Sequence, residues 1–244
     1  MDPREAAGER PIDAVADNPV VCILAGGLSR RLRPLTDTIP KSMVDIAGKP
    51  LLERIMGHFA SLGFGRFVLA VSYLRQQIEA YFGDGVAFGW DVRYSVEPEP
   101  LGTGGAVLLA HRLWAPAALV VNGDTFVPGD WRALWQAHRK GGHPATMALV
   151  HQEDTSRFGQ VETDGQRVVK FVEKGGSARP GWINAGVYAL EERALDGRTA
   201  GAAFSLERDV FEPLAGQIGA YLCDAPFADI GTPQSLAEFR RRME

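Results

Sequence analysis

Residues 20–24 form an unbroken apolar run, closed by the small turn Gly26-Gly27. A run this short and continuous suits a strand buried on both faces, as in parallel sheets clothed by helices. The pattern recurs. Residues 51–62 carry apolar side chains at helical spacing and stop at Gly63, and 67–71 is a second apolar run. Residues 75–82 read as a helix ended by Gly83, and 92–96 as a third strand. Residues 103–113 read as a helix that Thr103 is placed to cap. A fourth strand, 119–122, closes at Gly123-Asp124, and a helix over 131–140 ends at Gly141-Gly142. Parallel strands need crossover connections, which helices supply.

Beyond residue 142 the rhythm changes. Segments 146–151, 159–163, 168–173 and 183–190 are strand-like and closely spaced, with Asp164-Gly165 as a turn between two of them. This half reads as mixed or antiparallel. Residues 205–211 read as a short helix, 219–223 as a strand, and 234–242 as a closing helix whose basic end suits its dipole. The expected fold is α/β and Rossmann-like: a mixed, mainly parallel sheet flanked by helices, with a smaller second lobe. No Pro/Gly/Ser-rich linker intervenes, so residues 19–244 read as one domain, with lobes of about 19–142 and 143–244.

The formal net charge of -4 argues against general nucleic-acid binding, which needs an excess of Lys and Arg. No apolar stretch approaches a membrane span. Residues 1–18 are polar, lack the apolar centre of a signal peptide and read as a leader. The two cysteines, Cys22 and Cys223, sit in apolar runs without zinc spacing and read as buried thiols. A cytoplasmic location is expected. A homodimer is allowed by the sequence without being required.

The segment with the strongest chemical character is LAGGLSRRLRPLTDTIPKSMVDIAGKP, residues 24–50. It starts at the carboxyl end of the first strand, where open parallel sheets bind ligands. Leu24 ends the strand, and Ala25, Gly26 and Gly27 leave backbone N–H groups bare for phosphate oxygens. Arg30, Arg31, Arg33 and Lys41 follow, a set that suits a triphosphate. A generic basic surface loop is the plainer alternative. There is no GxGxxG after the first strand, and Gly48-Lys49 lacks the rest of a Walker A loop.

Asp124 follows a strand into the same crevice, as a magnesium ligand or as a helix cap. Asp229, in FADIGTP, either completes a metal site with Asp124 or only turns the chain; Pro233 then opens the last helix. Glu173 and Lys174 form an acid–base pair that suits either a second phosphate or an exposed edge. Glu97 either serves the site or faces solvent, and the glycines of LGTGGA, including Gly102, either serve it or only let the chain turn.

Residues 24–50 resemble the signature of sugar-phosphate nucleotidyltransferases, and the resemblance runs from about residue 20 to about 239. It implies a Rossmann-like fold, a Mg²⁺ cofactor and the joining of a nucleoside triphosphate to a sugar 1-phosphate with release of pyrophosphate. It further implies that Arg31 grips the triphosphate, that Lys41 contacts the reacting phosphates, and that Asp124 and Asp229 hold the metal. Glu173 would meet sugar hydroxyls and Lys174 the sugar phosphate. Gly159, Asn184 and Gly186 would line the sugar pocket, and Glu97, Gly102 and Thr103 would read the base. Ser29-Arg30 stands where the family has Gly-Thr, which gives up a glycine's freedom at positive φ and adds a cation.

The chain ends soon after Asp229, which leads to the expectation that it lacks the C-terminal β-helix of larger members. LGTGGA, NGD, INAGVY and FADIGTP are most similar to D-glycero-α-D-manno-heptose 1-phosphate guanylyltransferases, which implies GTP as donor. N-acetylmuramate 1-phosphate uridylyltransferases are similar too. A mannose-1-phosphate guanylyltransferase and a non-catalytic NDP-sugar-binding subunit are further alternatives. The four charged residues Arg31, Lys41, Asp124 and Asp229 favour the enzyme.

Overall fold

The computed structural model describes residues 18–27, 30–172 and 179–243. The segment read as a leader lies outside them except for Asn18, and so do Ser29 and the Glu173–Lys174 pair. In chain order the regular elements are β1 (Val20–Leu24), the short hairpin β2 (Asp45–Ile46) and β3 (Lys49–Pro50), α1 (Leu51–Ser61), β4 (Arg66–Val71), α2 (Arg75–Phe82), β5 (Asp91–Val96) and α3 (Gly102–Leu109). They continue as β6 (Ala117–Asn122), β7 (Thr125–Phe126), α4 (Trp131–Gly141), β8 (Ala145–Gln152), β9 (Gln160–Thr163), β10 (Arg167–Val172), β11 (Gly181–Glu191), β12 (Ile218–Cys223), β13 (Ala228–Asp229) and α5 (Pro233–Met243).

Nine strands make one sheet in the order β5-β4-β1-β6-β11-β8-β12-β10-β9. The first four run parallel. Strand β11 enters antiparallel between β6 and β8, β12 lies parallel to β8, and β10 and β9 finish the sheet antiparallel. The fold is therefore the mixed α/β fold expected, but among the described residues the sheet is not mainly parallel: four of its eight neighbouring pairs are antiparallel, because β11 enters the sheet antiparallel to both β6 and β8, and β10 runs antiparallel to β12 and β9.

Both faces are covered, and β1 shows why its sequence has no polar side. Val21 and Ile23 pack with the apolar stripes of α1, α2, α4 and α5. Val20 and Cys22 face the other way, onto Val107 of α3 and onto Leu206, Val210 and Phe211. Alternate residues of a strand point to opposite faces, so a strand covered on both must be apolar throughout. Both cysteines are buried free thiols, and burial pushes the Cys22 thiol up to about 12.

Two local readings change. Helix α3 starts at Gly102 with Leu101 as its N-cap, so Thr103 lies inside its first turn and does not cap it. The chain does use an Asp cap at α4, where Asp130 Oδ1 accepts the Ala133 N–H at 3.0 Å. The segment expected as a short helix near 205–211 is a π-helical turn, Glu207–Phe211.

His138 of α4 is fully buried and shares a 2.9 Å hydrogen bond through Nδ1 with Thr146 Oγ1. Burial pulls its pKa down from 6.5 to about 4, against the opposing pull of the Glu191 carboxylate 3.9 Å away. The folded chain holds this ring neutral while the unfolded chain protonates it near its ordinary value. The unfolded state therefore binds more protons between those limits, and stability falls as pH drops from about 6.5 towards 4. The shift corresponds to at most about 3 kcal/mol. Denaturant unfolding at pH 7.5 and 4.5 measures it: His138→Gln should lose less stability between the two than the wild type does.

Candidate active site

A cavity of about 320 Å³ opens at the carboxyl ends of β1 and β6. Its wall is made of residues 24–27 after β1, Lys41 and Ser42, Glu97 and Pro100 after β5, Gly102, Thr103 and Ala106 of α3, and residues 122–124 after β6. The volume is at the small end of the usual range for ligand sites, and the position is the crevice that parallel topology creates. Of the residues expected to hold a nucleotide, Leu24, Ala25, Gly26, Gly27, Lys41, Glu97, Gly102 and Thr103 all line it; Arg31 does not.

Close backbone contact sets the floor. The Gly123 N–H donates to Leu24 O at 3.0 Å, and a Cβ on Gly123 would stand 2.5 Å from that oxygen. Only glycine lets the end of β6 lie this close to the end of β1.

Lys41 begins a short 3-10 turn, Lys41–Met43, that buries its side chain to 8% exposure. Its Nζ donates to Asp124 Oδ2 at 2.8 Å. Asp124 caps no helix; it leads from β6 into the two-residue strand β7. That strand pairs antiparallel with β13, setting Asp229 opposite Thr125, and the Ile230 N–H donates to Asp124 O at 3.2 Å. Of the two aspartates expected to act together, Asp124 thus lies in the turn just before β7 and Asp229 on β13, which pairs with β7.

Asp229 Oδ1 accepts the Gly231 N–H at 2.8 Å, and Oδ2 lies 3.6 Å from Arg157 Nη2. Arg31 is exposed at the same place: a Cβ on Gly231 would stand 3.0 Å from Arg31 Nη2 and 2.8 Å from Asp229 Oδ2. Each carboxylate is therefore matched by a basic side chain. Among the described residues no group of three or more His, Cys, Asp or Glu side chains converges as a metal cage. One carboxylate in the turn before β7 and one on β13 beside it nevertheless fit Mg²⁺, which takes few protein ligands and completes its shell with water and phosphate.

Of the residues expected to line a sugar pocket, Asn184 and Gly186 lie at the β11 bulge. Pairing of β11 with β8 slips between Asn184 and Tyr188. Gly186 there has φ +73°, and its N–H donates to Asn184 Oδ1 at 2.8 Å. A Cβ on Gly186 would lie 2.9 Å from both Asn122 Nδ2 and Thr125 Oγ1, so the bulge presses on the chain that carries Asp124. Asn184, Gly186 and Gly159 do not line the cavity. Gly159 precedes β9 and faces Val172 O, to which a Cβ would stand at 3.1 Å.

Two residues use their polar groups differently from the expectation. Glu97 is half-buried, and its Oε2 accepts the Leu101 N–H at 3.0 Å, tying its own loop. Burial raises its pKa and that hydrogen bond opposes the rise. Thr103 Oγ1 donates to Glu207 Oε2 at 2.8 Å and accepts the Leu206 N–H at 2.8 Å. Sequence reading missed Asn122, Arg157 and Glu207. The first lies inside the quoted NGD triplet and the second stands two residues before Gly159; no local pattern marks Glu207.

Residues 20–244 match the nucleotidyl transferase family. The chain is 38% identical over 220 residues to the mannose-1-phosphate guanylyltransferase of Mycobacterium tuberculosis, covering 88% of this chain but 61% of that enzyme. It is 34% identical over 225 residues to the D-glycero-alpha-D-manno-heptose 1-phosphate guanylyltransferase of Aneurinibacillus thermoaerophilus, covering 91% of this chain and 97% of that one. The crystal structure of HddC from Yersinia pseudotuberculosis complexed with GMP-PN superimposes with a TM-score of 0.82 at 32% identity, over 93% of this chain and all of that one. The chain belongs to the nucleotidyl transferase family.

Proposed function

We propose that this chain transfers GMP from GTP to a sugar 1-phosphate, giving a GDP-sugar and pyrophosphate, with D-glycero-α-D-manno-heptose 1-phosphate as acceptor. The observation that carries the reaction class is the Lys41–Asp124 pair at the mouth of a cavity walled by residues 24–27. The guanylyl and heptose assignments draw on the Aneurinibacillus relative, which this chain matches across 97% of its length. Mannose 1-phosphate is the second reading for the acceptor, on the 38% identity with the mycobacterial enzyme. Surface polysaccharide synthesis, including capsule, and a cytoplasmic location belong to this reading; among the described residues no helix is long and apolar enough to cross a membrane.

In the proposed reaction an oxygen of the sugar phosphate attacks the α-phosphorus of GTP in line. The P–O bond to the β-phosphate breaks, and the electron pair leaves with pyrophosphate. A phosphate monoester is already an anionic nucleophile, so the site needs no strong base. Its task is to position and neutralise. The Ala25 N–H donates to Ala70 O at 2.8 Å, so the backbone N–H groups of Gly26 and Gly27 are the ones that receive the phosphates. Lys41, pinned by Asp124, presents its remaining donors to the α-phosphate, since an ammonium has three. Arg31, exposed beside Gly231, is set to bind the leaving pyrophosphate. Asp124 and Asp229 would hold Mg²⁺, which when bound supplies further positive charge to the phosphate oxygens.

Pyrophosphate release tests this, with five nucleoside triphosphates crossed against heptose, mannose, glucose and N-acetylmuramate 1-phosphates. GTP with heptose 1-phosphate should turn over fastest, and EDTA should abolish it. UTP or dTTP in place of GTP would sink the guanylyl assignment while sparing the reaction class.

Lys41→Ala should lower kcat by about 10²–10³, the usual cost of one preorganised charge donor. Lys41→Arg should also lose activity, because a planar fork cannot replace a point charge in a buried slot. Gly123→Ala should cut kcat/KM at least about tenfold, because its Cβ would push β6 off Leu24 O.

A further inference from the structure

Tyr188 stands at the centre of a buried polar chain that runs from the nucleotide cavity to the β11 bulge. Its ring is fully buried, and burial raises its hydroxyl well above the ordinary tyrosine range. The hydroxyl accepts from Asn184 Nδ2 at 2.8 Å and donates to Glu207 Oε1 at 3.3 Å.

The other oxygen of Glu207 receives two more donors, Thr103 Oγ1 at 2.8 Å and Ser205 Oγ at 3.0 Å. Three hydroxyls therefore point at one carboxylate, which an ionised carboxylate accepts without a competing donor. Thr103 in turn accepts the Leu206 N–H. The backbone packs to match: Gly104 N donates to Phe204 O at 3.0 Å, and a Cβ on Gly104 would lie 2.2 Å from the Phe204 ring. The glycines of LGTGGA thus admit residues 202–206 against the first turn of α3.

We propose that Glu207 is a positioning residue for the nucleotide: it fixes the Thr103 hydroxyl and the start of α3 at the cavity wall, and through Tyr188 it reaches Asn184. Glu207 does not itself line the cavity. This assignment rests on the nucleotidyltransferase reading of that cavity.

Glu207→Gln separates positioning from bulk. The amide keeps the volume but replaces one acceptor with an NH₂ donor. The amide oxygen can keep the Tyr188 proton, which leaves the NH₂ facing Thr103 and Ser205. Their hydroxyls must then rotate to accept, and Thr103 loses its fixed proton direction.

The experiment is steady-state kinetics and titration calorimetry with GTP, UTP, ATP and dTTP on the full chain, beside its thermal midpoint. Glu207→Gln should raise the nucleotide KM and Kd about tenfold, the scale of one lost hydrogen bond to a charged group, with kcat within about twofold. Thr103→Val should reproduce the nucleotide defect, and Thr103→Ser, which restores the hydroxyl, should largely repair it. These two variants decide the matter if Glu207→Gln does not fold. An unchanged nucleotide Kd in a folded Glu207→Gln or Thr103→Val chain overturns the proposal, as does a lowered thermal midpoint with all kinetic constants unchanged. A wild-type chain that binds UTP instead of GTP overturns only the guanylyl assignment, and Glu207 is then judged with UTP. A wild-type chain that binds no nucleotide overturns both.

Discussion

The ion pair between Lys41 and Asp124 joins the two strand ends on which the whole site is built. The residues are 83 positions apart, and the lysine side chain is 8% exposed. An ammonium so far from water costs several kcal/mol unless an opposite charge meets it. Asp124 can meet it only because β6 runs parallel beside β1 and ends level with it, Leu24 opposite Asn122. The pair therefore fixes the path from residue 30 to Lys41 without a regular element longer than one 3-10 turn. It also leaves chemistry available. Lysine has three donors and spends one on Asp124, so an incoming phosphate adds to the pair and does not have to break it.

Strand β11 does for the second half what that pair does for the first. Lying antiparallel between β6 and β8, it brings a strand from the later half of the chain against the strand that carries Asp124. A regular ladder would place alternate residues on alternate faces and hold the backbone straight. The slip between Asn184 and Tyr188 breaks that alternation where β11 passes Asn122 and Thr125. Gly186, at positive φ, absorbs the distortion. The bulge thereby sets the Asn184 amide on the Tyr188 hydroxyl.

Much of this was legible in the sequence for a physical reason. Buried parallel strands must be apolar on both faces, so residues 20–24, 67–71 and 119–122 announce themselves, and the residue after such a strand falls in the crevice. Most of the cavity wall follows from that rule together with the signature of residues 24–50. What stayed hidden depends on contacts between distant segments. Thr103 at the start of a helical stretch reads as a cap, because capping is local; its actual partner, Glu207, is 104 residues away. Glu97 reads as a residue facing ligand or solvent, yet it bonds an N–H four residues on. Arg157 carries no local mark, because its partner Asp229 reaches it only through the β7–β13 pairing and the loop before β9.

The two aspartates are not equivalent, and the difference lies in their counter-ions. Asp124 holds a buried ammonium at hydrogen-bond distance, and separating them would strand that charge. Asp229 faces a guanidinium 3.6 Å away that is half exposed, the kind of pair worth at most about 1 kcal/mol. One of its oxygens is held by the Gly231 N–H, which keeps the carboxylate aimed whether or not Arg157 stays. A site that must admit a highly charged donor and release charged products benefits from this asymmetry. The tight pair preserves the shape of the phosphate-facing wall, and the loose one lets Asp229 change partners at little cost. Arg31, exposed at the same corner, keeps the local charge from becoming strongly negative when it does.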